Sequence, residues 1–228
     1  MTKSVEDIIE DVRVALDQNN SSTALLAEGD IDTLSLNEII KSKIVEAVRS
    51  VHATAPYYML EQGHNIPVSI CWLDDVTTTI NGVSTTTVGT DTAGFVLLPK
   101  DFQRLVVFQL SDWERPVYNA ISTDDTEYEK QFSRFKGLRG TSQKPVCAIA
   151  VRSEGLALEF FSCKSRNVTV TRAVYIPLAS IDDSGNVDLS ERCYPAIVYM
   201  VAALTLYALS DTERGKVFEE LSKSQLQE

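Results

Sequence analysis

Apolar residues recur along this chain with two different periods, and the change between them divides it. Near the N-terminus Val5, Ile8, Ile9, Val12 and Leu16 lie three or four positions apart, the spacing of one helix face. Ser4 with Asp7 resembles a capping pair, so a helix is predicted over about 4–17. Asn19, Asn20, Ser21 and Ser22 end it, and Ser22 to Thr33, with Gly29 and three acids, reads as a loop. Ser35 and Glu38 form a stronger capping box. Ile39, Ile40, Ile44, Val45, Val48 and Val51 follow on one stripe, predicting a second helix over about 36–53. Pro56 breaks it, and Tyr57 to Leu60 reads as a short helix or apolar plug.

From Pro67 the period becomes two. Val68 to Leu73 reads as a strand. Residues 76–88 place Asn81-Gly82 between alternating β-branched residues, the signal of a hairpin whose type I′ turn needs positive φ at both central positions. That ribbon is rich in threonine and short of large apolar groups. Alone it is marginal in water, so a sheet or a neighbouring molecule is expected to support it. The stretch from Phe95 to Ser122 predicts a strand at Val96–Leu98 stopped by Pro99 and a strand over Leu105–Leu110. A third short strand is expected at Val117 and Tyr118 after Pro116. Ser122 with Asp125 is read as capping a helix over about 124–135. Strands near 145–151, 156–162 and 167–176 are expected to complete a small antiparallel sheet.

After a turn at Asp182–Asn186 the helical period returns. Asp188 with Glu191 is read as opening a long helix to about Leu209, with Tyr194, Ile197, Val198, Val201, Leu204 and Ala208 on one stripe. Met200, Ala203, Leu206 and Tyr207 make it apolar nearly all round, so it is expected to pack on the N-terminal helices. Ser210 with Glu213 is read as capping a last helix over about 211–224, and its end, LSKSQLQE, as polar and mobile. The fold class is therefore α+β: a helical bundle built from N- and C-terminal helices, with an inserted antiparallel β region. The predicted segments are 1–62, 63–187 and 188–228.

Composition narrows the function. The 228 residues carry a formal net charge of −11, which argues against generic binding to duplex DNA. The four cysteines, at 71, 147, 163 and 193, show no CxxC or zinc spacing and read as free thiols. The N-terminus carries acids where a signal peptide is basic and then apolar. Cys193 to Ser210 is uncharged, but Pro195, Thr205 and three tyrosines make it a core or interface helix rather than a membrane span.

Candidate chemistry is sparse. There is no Gly-rich phosphate cradle and no nucleophile elbow. His64 and Cys71 are a conceivable Cys/His pair, but nothing in the sequence orients the histidine. The acid pairs Asp74-Asp75, Asp124-Asp125 and Asp182-Asp183 suit turns. Trp72 and Trp113 read as core anchors rather than stacking platforms. No cofactor is predicted.

One charge feature stands out. Lys130, Arg134, Lys136, Arg139, Lys144 and Arg152 fall in a stretch without a single acid, within a chain that is otherwise acidic. With Gly137 and Gly140 the stretch reads as a flexible loop. A solvated loop, a docking loop for an acidic protein surface and a nucleic-acid contact interleaved with Phe132 and Phe135 are the three readings.

The run LLPKDFQRLVVFQLSDWERPV, followed by YEKQFSRFKGLRGTSQKPVCAI, resembles the head–tail connector (neck adaptor) proteins of tailed bacteriophages, of the short-tailed, crAss-like type. PAIVYMVAALTLYALSDTERGKVFEEL is similar to the late helices of those adaptors. The resemblance spans about residues 36–225 and has no single diagnostic motif. It implies a structural virion protein and not an enzyme, made in the host cytoplasm and residing in the phage neck. It implies a ring of about twelve copies beneath the portal protein, extending the DNA channel and presenting a platform for tail or second-ring proteins. DNA would pass through without specific binding, and no membrane is involved. Lys130, Arg134, Lys136, Arg139 and Lys144 would then face a neighbouring copy or ring. The tail, with Leu221, Gln225 and Leu226, would reach into the portal. A minor capsid or tail component, and a small enzyme with an unrecognised site, are the alternatives.

Overall fold

The computed structural model describes residues 2–16, 35–60, 63–73, 78–80, 83–85, 93–133 and 135–227. In chain order the elements are β1 (Thr2–Ser4), α1 (Val5–Ala15), α2 (Leu36–Thr54), β2 (His64–Asn65), β3 (Ile70–Trp72), β4 (Thr78–Ile80), β5 (Val83–Thr85), β6 (Gly94–Leu97), β7 (Phe102–Leu110), β8 (Ile121–Ser122), α3 (Thr126–Lys130), β9 (Val146–Arg152), β10 (Gly155–Phe161), β11 (Val170–Pro177), β12 (Asn186–Asp188), α4 (Tyr194–Ala208) and α5 (Thr212–Gln225). They form two units: Met1–Gln62 with Leu178–Glu228, and Gly63–Pro177. The chain returns to the helices at Leu178, ten residues before the predicted boundary at 188, because Ala179, Ile181 and Val187 pack into the helical core.

The helical unit follows from its apolar stripes. Val5, Ile8 and Val12 of α1 and Ile40, Ile44, Val48 and Val51 of α2 are buried together with Ile197 and Val201 of α4. α4 packs on α1, α2 and α5 and is the shared wall of the bundle. Its alanines at 196, 202 and 203 are fully buried, and small residues let neighbouring backbones approach. Both predicted N-terminal caps form: Ser4 Oγ accepts from the Asp7 N–H, and Ser35 with Glu38 makes the reciprocal box. β1 pairs antiparallel with β12 and ties the N-terminal segment to the chain's return.

Two helix starts differ from expectation. α4 begins at Tyr194 rather than at 188, because residues 186–188 are taken as a strand by β1 and 191–193 form a single 3-10 turn. Pro195, which lacks an N–H, then sits in the first turn, where no intrahelical partner is needed. The cap of α5 is Asp211, whose carboxylate accepts from the Arg214 N–H, and not Ser210. Ser210 instead adopts φ +64, with its N–H donating to Tyr207 O and the Asp211 N–H to Leu206 O. That is a Schellman ending of α4 with serine where glycine is usual.

The C-terminal end is not a mobile tail in the described residues. α5 runs to Gln225, Ser222 Oγ donates to the Ala196 carbonyl at 2.7 Å, and Leu226 is buried in the helical core.

The β unit holds two main sheets. One has the order β3-β6-β10-β9-β8 and is antiparallel except for the β8–β9 pair; the other has the order β2-β11-β7. β9, β10 and β11 therefore do not make one sheet as expected: β11 pairs with β7 and β2 instead. Apolar residues from both sheets meet in one core, with Val96, Leu158 and Phe160 from the first and Leu105, Phe108, Leu110 and Tyr175 from the second. Phe160 is its hub: the rings of Phe108, Trp72 and Trp113 lie 5.8, 6.0 and 6.4 Å from it. Both tryptophans thus serve as core anchors.

The predicted third strand of the central stretch shrinks to one bridge, Val117 with Phe108, and the next strand, β8, falls at 121–122. β4 and β5 pair with Ile80 opposite Val83, the register of a two-residue hairpin turn. The turn residues 81–82 themselves lie outside the described residues. Among those residues β4 and β5 form a sheet of their own.

Candidate interaction surface

Tyr128 and Phe132, from α3 and the turn after it, cover the other face of the five-stranded sheet, packing edge-on against Phe161. The sheet residue beneath them is an acid. Strand alternation sends Ala157, Glu159 and Phe161 to this face, and Glu159 is only 2% exposed. It is compensated from two sides. The Tyr128 hydroxyl donates to Oε2 at 2.8 Å, and the Arg152 guanidinium pairs with Oε1. The same guanidinium lies 4.3 Å from the centre of the Phe95 ring. Burial, followed by the bond to Glu159, pushes the Tyr128 hydroxyl pKa well above the ordinary tyrosine value. This cluster clamps a five-residue helix too short to be stable by itself. Sequence reasoning missed it, although an acid inside the apolar run LALEFF is a visible signal.

Among the described residues the chain after α3 is tied down by hydrogen bonds. The predicted helix over 124–135 is the short α3, capped by Asp125 rather than Ser122. Gln131, nearly buried, donates to Glu127 O and accepts from the Gly140 N–H at 2.9 Å, bracing both ends of the next turn. Arg139 Nε donates to Ser133 O. Residues 136–138 make a 3-10 turn, and the backbones of Thr141 and Lys144 bond to each other. A Cβ on Gly140 would lie 2.6 Å from Ser162 Oγ, so glycine is needed there for close approach. Out of this braced base project Phe135, 58% exposed, and Leu138, 53% exposed.

The predicted site residues therefore separate. Lys130 ends α3 and pairs with Glu127, and Arg152 belongs to the Glu159 cluster. Arg139 serves the loop's own backbone, while Lys144 is exposed at its turn. Lys136 opens the 3-10 turn, and Arg134 lies outside the described residues. Of the two aromatics in the stretch, Phe132 folds inward and Phe135 faces out. That removes one of the two rings a base-stacking platform was expected to use. Leu221 and Gln225 sit on α5 and Leu226 in the helical core, so this second set belongs to the other unit.

The alternative chemistry gains nothing from the fold. His64 stands on β2 against the Tyr175 ring, and Cys71 on β3 in the other sheet. Among the described residues no three His, Cys, Asp or Glu side chains gather closely enough to hold a metal ion. Asp124-Asp125 and Asp182-Asp183 occupy turns, with Asp182 accepting from Ser184 and Asn186; Asp74-Asp75 lie outside the described residues. The cysteines are free, and burial pushes the Cys163 thiol up to about 12 and Cys147 well above its ordinary value. Such thiols are poor nucleophiles. No helix among the described residues is long and apolar enough to cross a membrane. Compared with known proteins, the chain matches no family model and no curated protein.

Proposed function

We propose that this chain is a structural virion protein, a head-to-tail adaptor of a tailed phage that forms an oligomeric ring beneath the portal. In this reading the ring extends the DNA channel and carries the tail. The observation that carries the proposal is the architecture: helices from both chain ends make one unit, and the β unit is inserted between them. That is the arrangement implied by the resemblance of the Leu97–Val117, Tyr128–Ile149 and Pro195–Leu221 stretches to neck adaptors. The braced loop with outward Phe135, Leu138 and Lys144 adds a surface suited to protein contact. Net negative charge suits a channel wall along which DNA must slide without sticking.

The test is to mix the purified chain with the portal ring encoded in the same genome and weigh the products by native mass spectrometry. A mass step of about twelve copies is the expected result. A stable monomer or dimer that ignores the portal would overturn the adaptor role and favour a minor capsid or tail component.

A further inference from the structure

α5 is turned the wrong way round for a helix held by an aliphatic face. Val217 and Leu221 point outward, 57% and 41% exposed. Its buried positions are Gly215 and Ser222, with Phe218 half-buried and Leu226 just beyond its end. Among the described elements α4 is the one that packs along its length. The two form an antiparallel hairpin. The Ser222 hydroxyl donates to the Ala196 carbonyl, the Phe218 ring lies 6.2 Å from that of Tyr199, and Gly215 sits under Tyr207, where a Cβ would come within 2.5 Å of the ring. The Tyr207 hydroxyl donates to Glu219 at 2.7 Å. A helix with so small a buried face belongs to the parts of a fold that undock first.

The turn that folds α5 back is as weakly specified. Between Ala208 and Thr212 the chain reads Leu209, Ser210, Asp211, with neither glycine nor proline to end a helix. The reversal depends on Ser210 at φ +64, a conformation that costs an L residue free energy, and on the Asp211 carboxylate, which caps α5. All three residues are tolerated in an uninterrupted helix, where no positive φ is required. With the turn straightened, Tyr194 to Gln225 becomes a single helix about 48 Å long. Its second half then projects past its own α4, whose α5-facing side is left bare.

We propose that two copies of this chain exchange α5. Each α4 and α5 straighten into one helix, and two such helices lie antiparallel, with α5 of each copy seated on α4 of the other. The surface that receives α5 is the one it covers within a single chain, so the fit of Gly215 to Tyr207 and of Ser222 to Ala196 is kept. The exchange is reciprocal and closes on a two-fold axis. Because the helix contacts are the same in both states, the hinge sets the balance. Relief of the Ser210 backbone favours the dimer; the Asp211 cap and the freedom of two separate bodies favour the monomer. The exchange goes beyond the ring reading and does not rest on it, since it is a property of the free chain.

The test is native mass spectrometry of the full chain at rising concentration, with circular dichroism to verify folding. Ser210→Gly relaxes the closed turn and weakens the straight helix, and should lower the dimer association constant at least about tenfold. Ser210→Ala with Asp211→Ala removes the cap and favours the straight helix, and should raise it at least about tenfold. A bump and a hole then identify the contact. On the second background, Gly215→Leu is placed in one chain and Tyr207→Ala in another. Mixed one to one, they should form the mixed dimer in excess of both like pairs. In the mixed dimer one seat is the natural one, and in the other the larger side chain at 215 meets the space opened at 207. Hinge variants that leave the balance unchanged, or move it in the same direction, overturn the exchange. Mixed and like dimers in statistical proportion also overturn it, because the copies then meet through another surface. A chain monomeric in every form overturns it while leaving the adaptor reading to the portal experiment. Dimers that obey the hinge and pairing rules in a chain that ignores the portal uphold the exchange and remove the adaptor role.

Discussion

The two units solve the problem of a stable core with different side chains. The helical unit is aliphatic: Ile8, Ile40, Ile44, Val48 and Ile197 are all fully buried, spaced by alanines. The β unit is aromatic, with Phe160 touching Phe108, Trp72 and Trp113. The helical unit also bears the entire net charge, while the β unit is neutral. One unit is thus stabilised by many small interchangeable contacts against a background of self-repulsion, and the other by a few large rings without that penalty. The first should tolerate single truncations better and depend more on salt; the second should fail at one residue.

The largest expected effect breaks the β unit at its hub. Phe160→Ala removes the ring on which three others rest and should cost about 3–5 kcal/mol. Ile44→Ala in the helical unit should cost about 2–4 kcal/mol. Both tryptophans of the chain lie in the β unit, so tryptophan fluorescence follows that unit, and ellipticity at a helical wavelength weights the other. Denaturant titrations read both ways should show Phe160→Ala moving the fluorescence midpoint and Ile44→Ala the helical one. Both variants moving both midpoints equally would mean that the units unfold as one.

Next comes the buried acid. Arg152→Met leaves Glu159 without its cation in a face that is otherwise apolar, and should cost the β unit about 3 kcal/mol. Adding Glu159→Met should recover most of that loss, since the cost is an unpaired charge and not lost packing. Tyr128→Phe should cost about 1.5–2 kcal/mol, one hydrogen bond to a charged acceptor in a partly buried site. A double variant no more stable than Arg152→Met alone would show that the guanidinium acts through its contact with Phe95 instead.

A third prediction separates the units by pH. His52, on α2, is buried in the helical unit with Nε2 lacking a hydrogen-bond partner among the described residues. Burial lowers its pKa, and the Asp188 carboxylate opposes this only in part. The folded state therefore binds a proton less readily than the unfolded chain. Stability is present above the ordinary histidine value of about 6.5 and declines as pH falls below it. The helical midpoint should drop between pH 7 and 5 more than the fluorescence midpoint. His52→Gln should flatten that difference. Equal acid sensitivity in the variant would assign the effect to carboxylates.

These contrasts were only partly legible in the sequence. The α+β class and the bundle made from both chain ends follow from period and caps, because Ser4, Ser35 and the α1 and α2 stripes are local features. The starts of α4 and α5 did not, since Asp188 is claimed by β1 from the far end of the chain and Ser210 by a Schellman turn. Strand partners were equally hidden. β11 alternates like β9 and β10, and only the tertiary fold assigns it to β7. Of the site, the basic stretch was visible, but which of its charges are consumed internally was not. The partners of Arg139 and Arg152 are a backbone carbonyl and an acid on the opposite strand. Leu226 looked like part of a polar tail because its contacts lie in other elements of the bundle.

The smallest expected effects bear on the loop that the β unit presents. Gly140 and Gly137 are three residues apart in it, and both looked like sources of flexibility. A Cβ at 140 would meet Ser162 Oγ at 2.6 Å, Val146 Cγ2 at 3.0 Å and the Lys144 carbonyl at 3.1 Å, while one at 137 would meet nothing within 4 Å. Gly140→Ala should therefore cost about 1 kcal/mol and loosen the base of the loop, since the displaced groups include backbone. Gly137→Ala should be neutral or stabilise by a few tenths of a kcal/mol, through the lower entropy of the unfolded chain. Hydrogen exchange at the Gly140 and Lys144 amides, which bond to Gln131 and Thr141, reads the difference directly. Faster exchange in the first variant and unchanged or slower exchange in the second is the expected outcome. If both variants exchange alike, the bracing at 140 does not hold the loop, and Phe135 and Leu138 are not presented in a fixed shape.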